Sequence, residues 1–178
     1  MILHLVRHPP VTKDWQRRCY GQSDSGLSRA GQAMVAPLVD QLAALGPGAI
    51  IHSDMKRTRA LALPLAQRIG ITPIAAPLWR ERNFGNWEGQ SWYAIYRETG
   101  NAMDGMIDDP EYFKPGGGET TADLSKRIEQ AVASLPDVQS VAIITHGGPI
   151  ACFRAARAGA TLHQLAAFIP PTGSIVTL

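Results

Sequence analysis

An arginine and a histidine stand side by side where the first apolar segment of the chain ends. Residues 2–6 (ILHLV) predict a β-strand, and Arg7 and His8 follow it directly, before Pro9 and Pro10. A guanidinium is a permanently charged fork of donors that suits phosphate oxygens. An imidazole is plentiful in its neutral form near pH 7, so one ring nitrogen keeps a lone pair for nucleophilic attack. The two prolines stiffen the chain after His8, which predicts a ring held in place before a ligand arrives.

Polar residues and glycines also follow the other predicted strands. Ser53 closes the second strand, Arg57 lies one turn further, Glu81 follows the third strand after a loop, and His146, Gly147 and Gly148 follow the strand 140–145. Ligands of an open α/β sheet bind outside the carboxyl ends of its strands. Each of these residues alone is commonly structural. Their coincidence at four strand ends, with Arg7 and His8, predicts one site at one rim of a sheet.

The segments that must position these residues alternate between strand and helix. Strands are predicted at 2–6, 49–53, 72–76, 140–145 and 174–178, and helices at 27–46, 55–70, 91–100, 120–135 and 148–159. Ser28 and Thr120 are predicted N-caps, and Pro37 is predicted to kink the first helix. The alternation predicts an α/β fold, a three-layer α/β/α sandwich with a mostly parallel central sheet, in a single domain over 1–178. Residues 77–119, rich in Gly, Pro and Trp, are predicted to form a small lid over the site.

Composition and charge argue against several classes of binding partner. The chain has 178 residues, of which 45% are hydrophobic and 18% charged, with a net charge of +2. No long basic run predicts a nucleic-acid or membrane partner, and no segment approaches the ~20 apolar residues of a membrane span. Cys19 and Cys152 are too few for a disulfide framework and fit no zinc spacing, which favours a reducing cytoplasm. The sequence contains no cluster of carboxylates that would predict a metal site, and no cofactor is expected.

Six motifs, in order over nearly the whole chain, resemble the histidine phosphatase superfamily in its phosphoglycerate mutase-like branch. They are LVRHPP (5–10), GQSDSGLSRAGQ (21–32), SDMKR (53–57), RERNFGNWEG (80–89), GGET (117–120) and THGG (145–148). Each motif alone is weak to moderate, whereas the ordered set is specific. The His-Pro pair at 8–9 is most similar to the α-ribazole phosphatase-like branch.

The resemblance implies a metal-independent phosphomonoester hydrolase that works through a phosphohistidine. It assigns catalysis to His8, Glu81 and His146, phosphate binding to Arg7, Arg57 and Gly147, and substrate binding to Gln22 and Ser23. His8 would be the nucleophile and Glu81 the proton donor. The implied partner is a small phosphorylated substrate, such as α-ribazole phosphate or another metabolite. Two guanidiniums beside His8 are expected to lower its pKa, and its second ring nitrogen is expected to donate to a backbone carbonyl.

The chain departs from the family pattern in the phosphate-binding loop. Pro9 and Val11 stand where the family has Gly and Thr, and the Asn of the following loop is absent. Pro9 has no N–H to offer a phosphate, so the loop has fewer donors. Phosphoglycerate mutase-type transfer, a phosphoprotein phosphatase and a non-catalytic phosphate-binding protein therefore stay open as alternatives. Oligomeric state, a dimer included, is also open.

Overall fold

The computed structural model describes residues 1–178 and contains one five-stranded sheet. The strands are β1 (Ile2–Arg7), β2 (Ala49–His52), β3 (Ile74–Ala75), β4 (Ser140–Thr145) and β5 (Ile175–Thr177). Their spatial order is β3-β2-β4-β1-β5. The pairs β3–β2, β2–β4 and β4–β1 are parallel, and β5 pairs antiparallel with β1 at the edge. The predicted mostly parallel sheet and the final edge strand are confirmed.

Eight α-helices connect or flank the strands. They are α1 (Lys13–Gln16), α2 (Arg29–Ala33), α3 (Val35–Ala44), α4 (Lys56–Ile69), α5 (Trp92–Thr99), α6 (Gly105–Asp108), α7 (Thr121–Ala133) and α8 (Gly147–Arg157). The predicted caps are confirmed, since Ser28 Oγ accepts from Gly31 N at 3.0 Å and Thr120 Oγ1 from Asp123 N at 2.9 Å.

The helix predicted at 27–46 is interrupted just before Pro37, which agrees with the predicted effect of that proline. It forms α2 and α3 with a break at Met34. Pro37 has no N–H for the carbonyl four residues earlier, at Ala33, and its ring crowds that carbonyl. The strand predicted at 72–76 is shorter in the structure, with only Ile74 and Ala75 paired to β2.

Alternate residues of the strands feed two apolar layers, one on each face of the sheet. Val141 and Ile143 of β4 join Leu3 and Leu5 in a cluster that also contains buried residues of α7 and α8. Ala142 and Ile144 point to the opposite face, where the cluster is completed by α3 and α4. This period of two is the expected consequence of strand geometry, and it gives the predicted helix–sheet–helix layering.

The predicted lid, residues 77–119, is a folded segment with its own small core. It contains α5, α6 and 3-10 turns at Pro77–Trp79, Gly85–Trp87, Ala102–Asp104 and Pro115–Gly117. Trp87 and Ile95 pack there on Cys19. Gly116 is required at its position, because its φ is 59° and a Cβ would lie 2.2 Å from the Phe84 carbonyl oxygen.

No helix in the structure combines the length and the apolar character that a membrane crossing requires. Cys19 and Cys152 are both buried free thiols.

Candidate active site

The register of two parallel strands brings the two histidines together. Arg7 of β1 is the partner of Thr145 of β4, and His8 N donates to the Thr145 carbonyl at 3.0 Å. The next residues, His8 and His146, therefore leave the sheet at the same level. Their ring centroids are 5.1 Å apart at an interplanar angle of 63°. Both rings are buried, with 1% and 0% exposure.

The hydrogen bond of His8 fixes which ring nitrogen carries the proton. Nδ1 lies 2.8 Å from the Pro9 carbonyl oxygen. A carbonyl only accepts, so Nδ1 donates and Nε2 keeps the lone pair. Burial, and after it the charges of Arg57 and Arg7, lower the pKa of His8 to about 3. The expected direction and the expected carbonyl partner are both confirmed, although burial outweighs the two guanidiniums.

His146 is held at both ring nitrogens. Nδ1 accepts from Arg57 Nε at 3.3 Å, and Nε2 lies 2.7 Å from Ser53 Oγ. Ser53 Oγ in turn lies 2.9 Å from Thr58 Oγ1, which donates to the Met55 carbonyl at 2.9 Å. The hydrogen bonds therefore all point one way: His146 Nε2 donates to Ser53 Oγ, and Ser53 Oγ donates to Thr58 Oγ1. Burial and the neighbouring Arg57 place the pKa of His146 well below its usual range, so the ring is neutral.

The two arginines occupy different positions around the histidines. Arg57 is fully buried and donates to the carbonyls of Gly21 at 2.6 Å and Ser23 at 2.8 Å, which ties the 21–25 loop to α4. Arg7 Nη1 donates to the Pro170 carbonyl at 2.6 Å, and the buried Nε of Arg7 has no hydrogen-bond partner. Arg7 thus has a free donor for an anion beside His8, whereas most donors of Arg57 are already engaged.

Two glycines at the start of α8 make room for charged side chains. A Cβ at Gly147 would lie 3.2 Å from the Arg7 guanidinium carbon, and one at Gly148 would lie 2.3 Å from Glu81 Oε1. The Glu81 carboxylate accepts from Gly148 N at 3.2 Å and from Arg82 N at 2.9 Å. The helix N-terminus and the carboxylate are therefore in direct contact.

The Gly148→Ala variant is expected to lose activity without losing its fold. The added methyl group displaces the Glu81 carboxylate, and a misplacement of about 1 Å at a reacting group costs on the order of 10²-fold in rate. Steady-state turnover of a phosphomonoester and thermal melting check both parts. Gly26→Ala is the matched control, because a Cβ there meets nothing within 4 Å. Equal turnover in both variants would contradict a role for Glu81 at this position.

One arginine of α7 anchors the segment that carries Glu81. Arg127 Nη1 donates to the carbonyls of Leu78 at 2.6 Å and Arg80 at 2.9 Å, and Nη2 donates to the Glu81 carbonyl at 3.3 Å. Its Nε and Nη2 each lie 2.8 Å from the Glu119 carboxylate, which holds the guanidinium in place. The backbone at residues 78–81 is therefore fixed to the α7 helix.

Gln22 and Ser23 lie in the 21–25 loop, where they contact protein groups. Ser23 Oγ donates to Glu88 Oε2 at 3.0 Å, and Gln22 Nε2 donates to the Glu81 carbonyl at 3.1 Å. Neither residue lines the pocket that adjoins Arg7, Glu81 and Gly148, whereas Gly21 does. Substrate binding by Gln22 and Ser23 stays a prediction, and their observed contacts hold the loop against the lid.

A pocket of about 430 Å³ adjoins Arg7, Glu81 and Gly148. Its wall also contains Gln16, Tyr20 and Arg82, to which the sequence assigned no role in the site. The Tyr20 ring lies 6.3 Å from the His8 ring and 5.1 Å from the Arg57 guanidinium carbon. Arg82 directly follows Glu81, which was the one available signal for it. The buried Nη1 of Arg82 has no hydrogen-bond partner.

The pKa values of the two histidines predict a stability that decreases in acid. Both are lowered below the ordinary value of 6.5. Below about pH 6.5 the unfolded chain therefore binds protons that the native state does not. The free energy of unfolding is then greatest above pH 6.5 and falls as the pH drops toward 3. Urea unfolding of His8→Gln should show a shallower fall between pH 7 and pH 4 than the wild type, and parallel curves would contradict this origin of the slope.

His8 offers a neutral nitrogen nucleophile, and Arg7, which lines the adjoining pocket together with Glu81, offers a free cationic donor. Such a set can bind an oxyanion, attack its central atom and give a proton to a leaving group. No group of three or more His, Cys, Asp or Glu side chains in the structure is placed to hold a metal ion.

Comparisons with known proteins agree with this chemistry. A family model described as the histidine phosphatase superfamily, branch 1, matches residues 3–178. A probable phosphoglycerate mutase GpmB of Escherichia fergusonii is 31% identical over 153 residues, which cover 84% of this chain and 71% of that protein. A mycobacterial glucosyl-3-phosphoglycerate phosphatase, solved with VO3, is 26% identical with a TM-score of 0.86, covering 99% of this chain and 91% of that chain. The α-ribazole phosphatase of Shigella flexneri shares the fold, with a TM-score of 0.88 at 20% identity over 99% of this chain and 89% of that chain.

Proposed function

Because the chain belongs to the histidine phosphatase superfamily, branch 1, we propose that it is a metal-independent phosphomonoester hydrolase that works through a phosphohistidine on His8. One observation carries the proposal. The Nδ1 hydrogen bond of His8 leaves Nε2 unprotonated, and burial together with the neighbouring guanidiniums keeps the ring neutral. His146 lies beside this ring, and the free Nε of Arg7 is a donor that suits the phosphate of a substrate.

The proposed reaction has two steps. In the first, His8 Nε2 forms a bond to phosphorus while the bond from phosphorus to the alcohol oxygen breaks, and Glu81 gives its proton to that oxygen. In the second, Glu81 takes a proton from water, the water oxygen bonds to phosphorus, and the phosphorus–nitrogen bond breaks. Inorganic phosphate leaves and both side chains return to their starting states. Neither step requires a metal ion.

The substrate is proposed to be a small phosphorylated metabolite. α-Ribazole phosphate stays among the candidates, and the names of similar proteins add 3-phosphoglycerate and glucosyl-3-phosphoglycerate. A hydrolase of one of these is favoured because similar solved structures include a phosphatase, the mycobacterial glucosyl-3-phosphoglycerate phosphatase.

Phosphoglycerate mutase activity is the second candidate, and the 31% identity to a probable phosphoglycerate mutase favours it. Incubation of the protein with 3-phosphoglycerate separates the two, followed by ³¹P NMR. A hydrolase releases inorganic phosphate and glycerate, whereas a mutase produces 2-phosphoglycerate with little free phosphate.

The general test is hydrolysis of p-nitrophenyl phosphate in the presence of EDTA, with α-ribazole phosphate and a phosphohistidine peptide assayed in parallel. Turnover that survives EDTA and passes through an acid-labile phosphoenzyme is the expected result. Preference for the peptide would point to a phosphoprotein phosphatase. Binding of phosphate without turnover of any ester would overturn the proposal in favour of a phosphate-binding protein.

A further inference from the structure

The position of the pocket shows where the alcohol part of a substrate must lie. Arg7, Glu81 and Gly148 line it, and they lie together because Gly148 N contacts the Glu81 carboxylate and the neighbouring Gly147 packs against Arg7. In the proposed reaction the phosphate lies beside Arg7, and the leaving oxygen lies beside the Glu81 carboxylate. The group attached to that oxygen therefore extends into the pocket. This step rests on the proposed function.

The walls of the pocket are mainly apolar. Nine of the sixteen residues that line it are hydrophobic, among them Trp92, Met106, Ile107, Leu162, Ala166 and Ile169. The one additional cation, Arg82, is 6% exposed, and its guanidinium carbon lies 6.0 Å from the Phe84 ring centroid. An occupant of this pocket therefore meets hydrocarbon over most of its surface.

The wall also leaves apolar surface exposed to solvent. Ile107 and Ile169 come from distant parts of the chain, and 44% and 43% of their surface is exposed. Together with Trp92 and Leu162, which line the same pocket, they give it an apolar wall. Such a surface gains free energy when an apolar ligand covers it.

We propose that this pocket selects phosphomonoesters whose alcohol part is bulky and mainly apolar, such as an aromatic group, over esters of small polar alcohols. The pocket volume of about 430 Å³ lies near the lower end of the range for small-molecule sites, which suits one such group. Hydroxyl and carboxylate groups of a polar alcohol would lose water and find few partners in this pocket apart from Arg82 and Gln16. Of the candidate substrates, α-ribazole phosphate, which carries an aromatic base, is then favoured over 3-phosphoglycerate and glucosyl-3-phosphoglycerate.

Two primary alkyl esters test the preference without a difference in leaving-group reactivity. The kcat/KM for 2-phenylethyl phosphate is expected to exceed that for glycerol 3-phosphate by about 10- to 100-fold, the gain from burying one aromatic side group. Equal values, or a preference for glycerol 3-phosphate, would overturn the inference while leaving the proposed function intact. Failure to hydrolyse these esters and p-nitrophenyl phosphate would instead overturn the proposed function.

A pair of neighbouring substitutions tests the location. Ala166 and Ala167 are both exposed in the 3-10 helix Leu162–Phe168, but only Ala166 lines the pocket. Ala166→Phe fills the pocket and should lower kcat/KM for 2-phenylethyl phosphate about 10-fold, which narrows its advantage over glycerol 3-phosphate. Ala167→Phe should behave as the wild type with both esters. The same response in both variants would show that the alcohol lies elsewhere.

Discussion

The His8→Ala variant is expected to hydrolyse p-nitrophenyl phosphate more than about 10⁴-fold more slowly than the wild type, because removal of a covalent nucleophile removes the reaction path itself. The phosphoenzyme should disappear with it. Release of p-nitrophenolate measures the first effect, and ³¹P NMR of alkali-quenched protein measures the second. The loss of the buried ring also removes its hydrogen bond to the Pro9 carbonyl. Circular dichroism should be recorded to confirm that the variant is folded.

His4 provides a control on the same strand. Its ring is buried, and its nitrogens contact Thr177 Oγ1 at 2.9 Å and Ser140 Oγ at 3.0 Å, away from His146. His4→Asn is expected to lower the melting temperature and to keep turnover within a few-fold of the wild type. A His8→Ala protein that is folded and still turns over would contradict attack by His8.

The Glu81→Gln variant should show an effect that depends on the leaving group. An alkyl alkoxide needs a proton as it departs, and loss of general acid catalysis costs about 10²- to 10⁴-fold. p-Nitrophenolate leaves without one, so formation of the phosphohistidine from p-nitrophenyl phosphate should be only slightly slowed. Hydrolysis of the phosphohistidine intermediate still needs Glu81 to activate water. The expected trace is a burst of one p-nitrophenolate per protein molecule followed by slow turnover, measured by stopped flow.

Glu98 supplies the matched substitution for this experiment, because it is an exposed carboxylate on α5. Glu98→Gln should give linear wild-type kinetics with both kinds of ester. Glu81→Gln kinetics with equal losses for alkyl and aryl esters, and without a burst, would rule out Glu81 as the proton donor.

The part of the site that strand topology controls could be predicted from the sequence. Arg7, His8 and His146 follow strands that are strongly apolar, and parallel strands place their carboxyl ends at one edge. The Arg7–Thr145 register then determines that His8 and His146 meet. Capping by Ser28 and Thr120 was equally predictable, since it depends on residues three positions apart in the chain.

The parts that depend on tertiary contacts between loops could not be predicted. Phosphate binding by Arg57 stays a prediction, whereas its hydrogen bonds to the 21–25 loop could not be predicted, because they depend on two loop carbonyls that only the fold brings within reach. Ile107 and Ile169 show no periodic pattern that assigns them to one wall. Tyr20 carries no sequence signal for its place beside His8, since the loop after β1 has no regular geometry. The pocket is visible only once these segments are packed together.

The anchoring of residues 78–81 by Arg127 separates the chemistry from the recognition of the substrate. The hydrogen bonds of Arg127 hold the backbone of Glu81, the proposed proton donor, to α7, whereas α6 is hydrogen-bonded to the 162–168 segment, where His163 Nδ1 donates to the Ile107 carbonyl. Substitutions in those two segments can therefore change which alcohol is accepted while the reacting groups keep their positions. Relatives with this anchor can diverge in metabolic role through a few wall residues, and the chain is a suitable scaffold for laboratory redesign of selectivity.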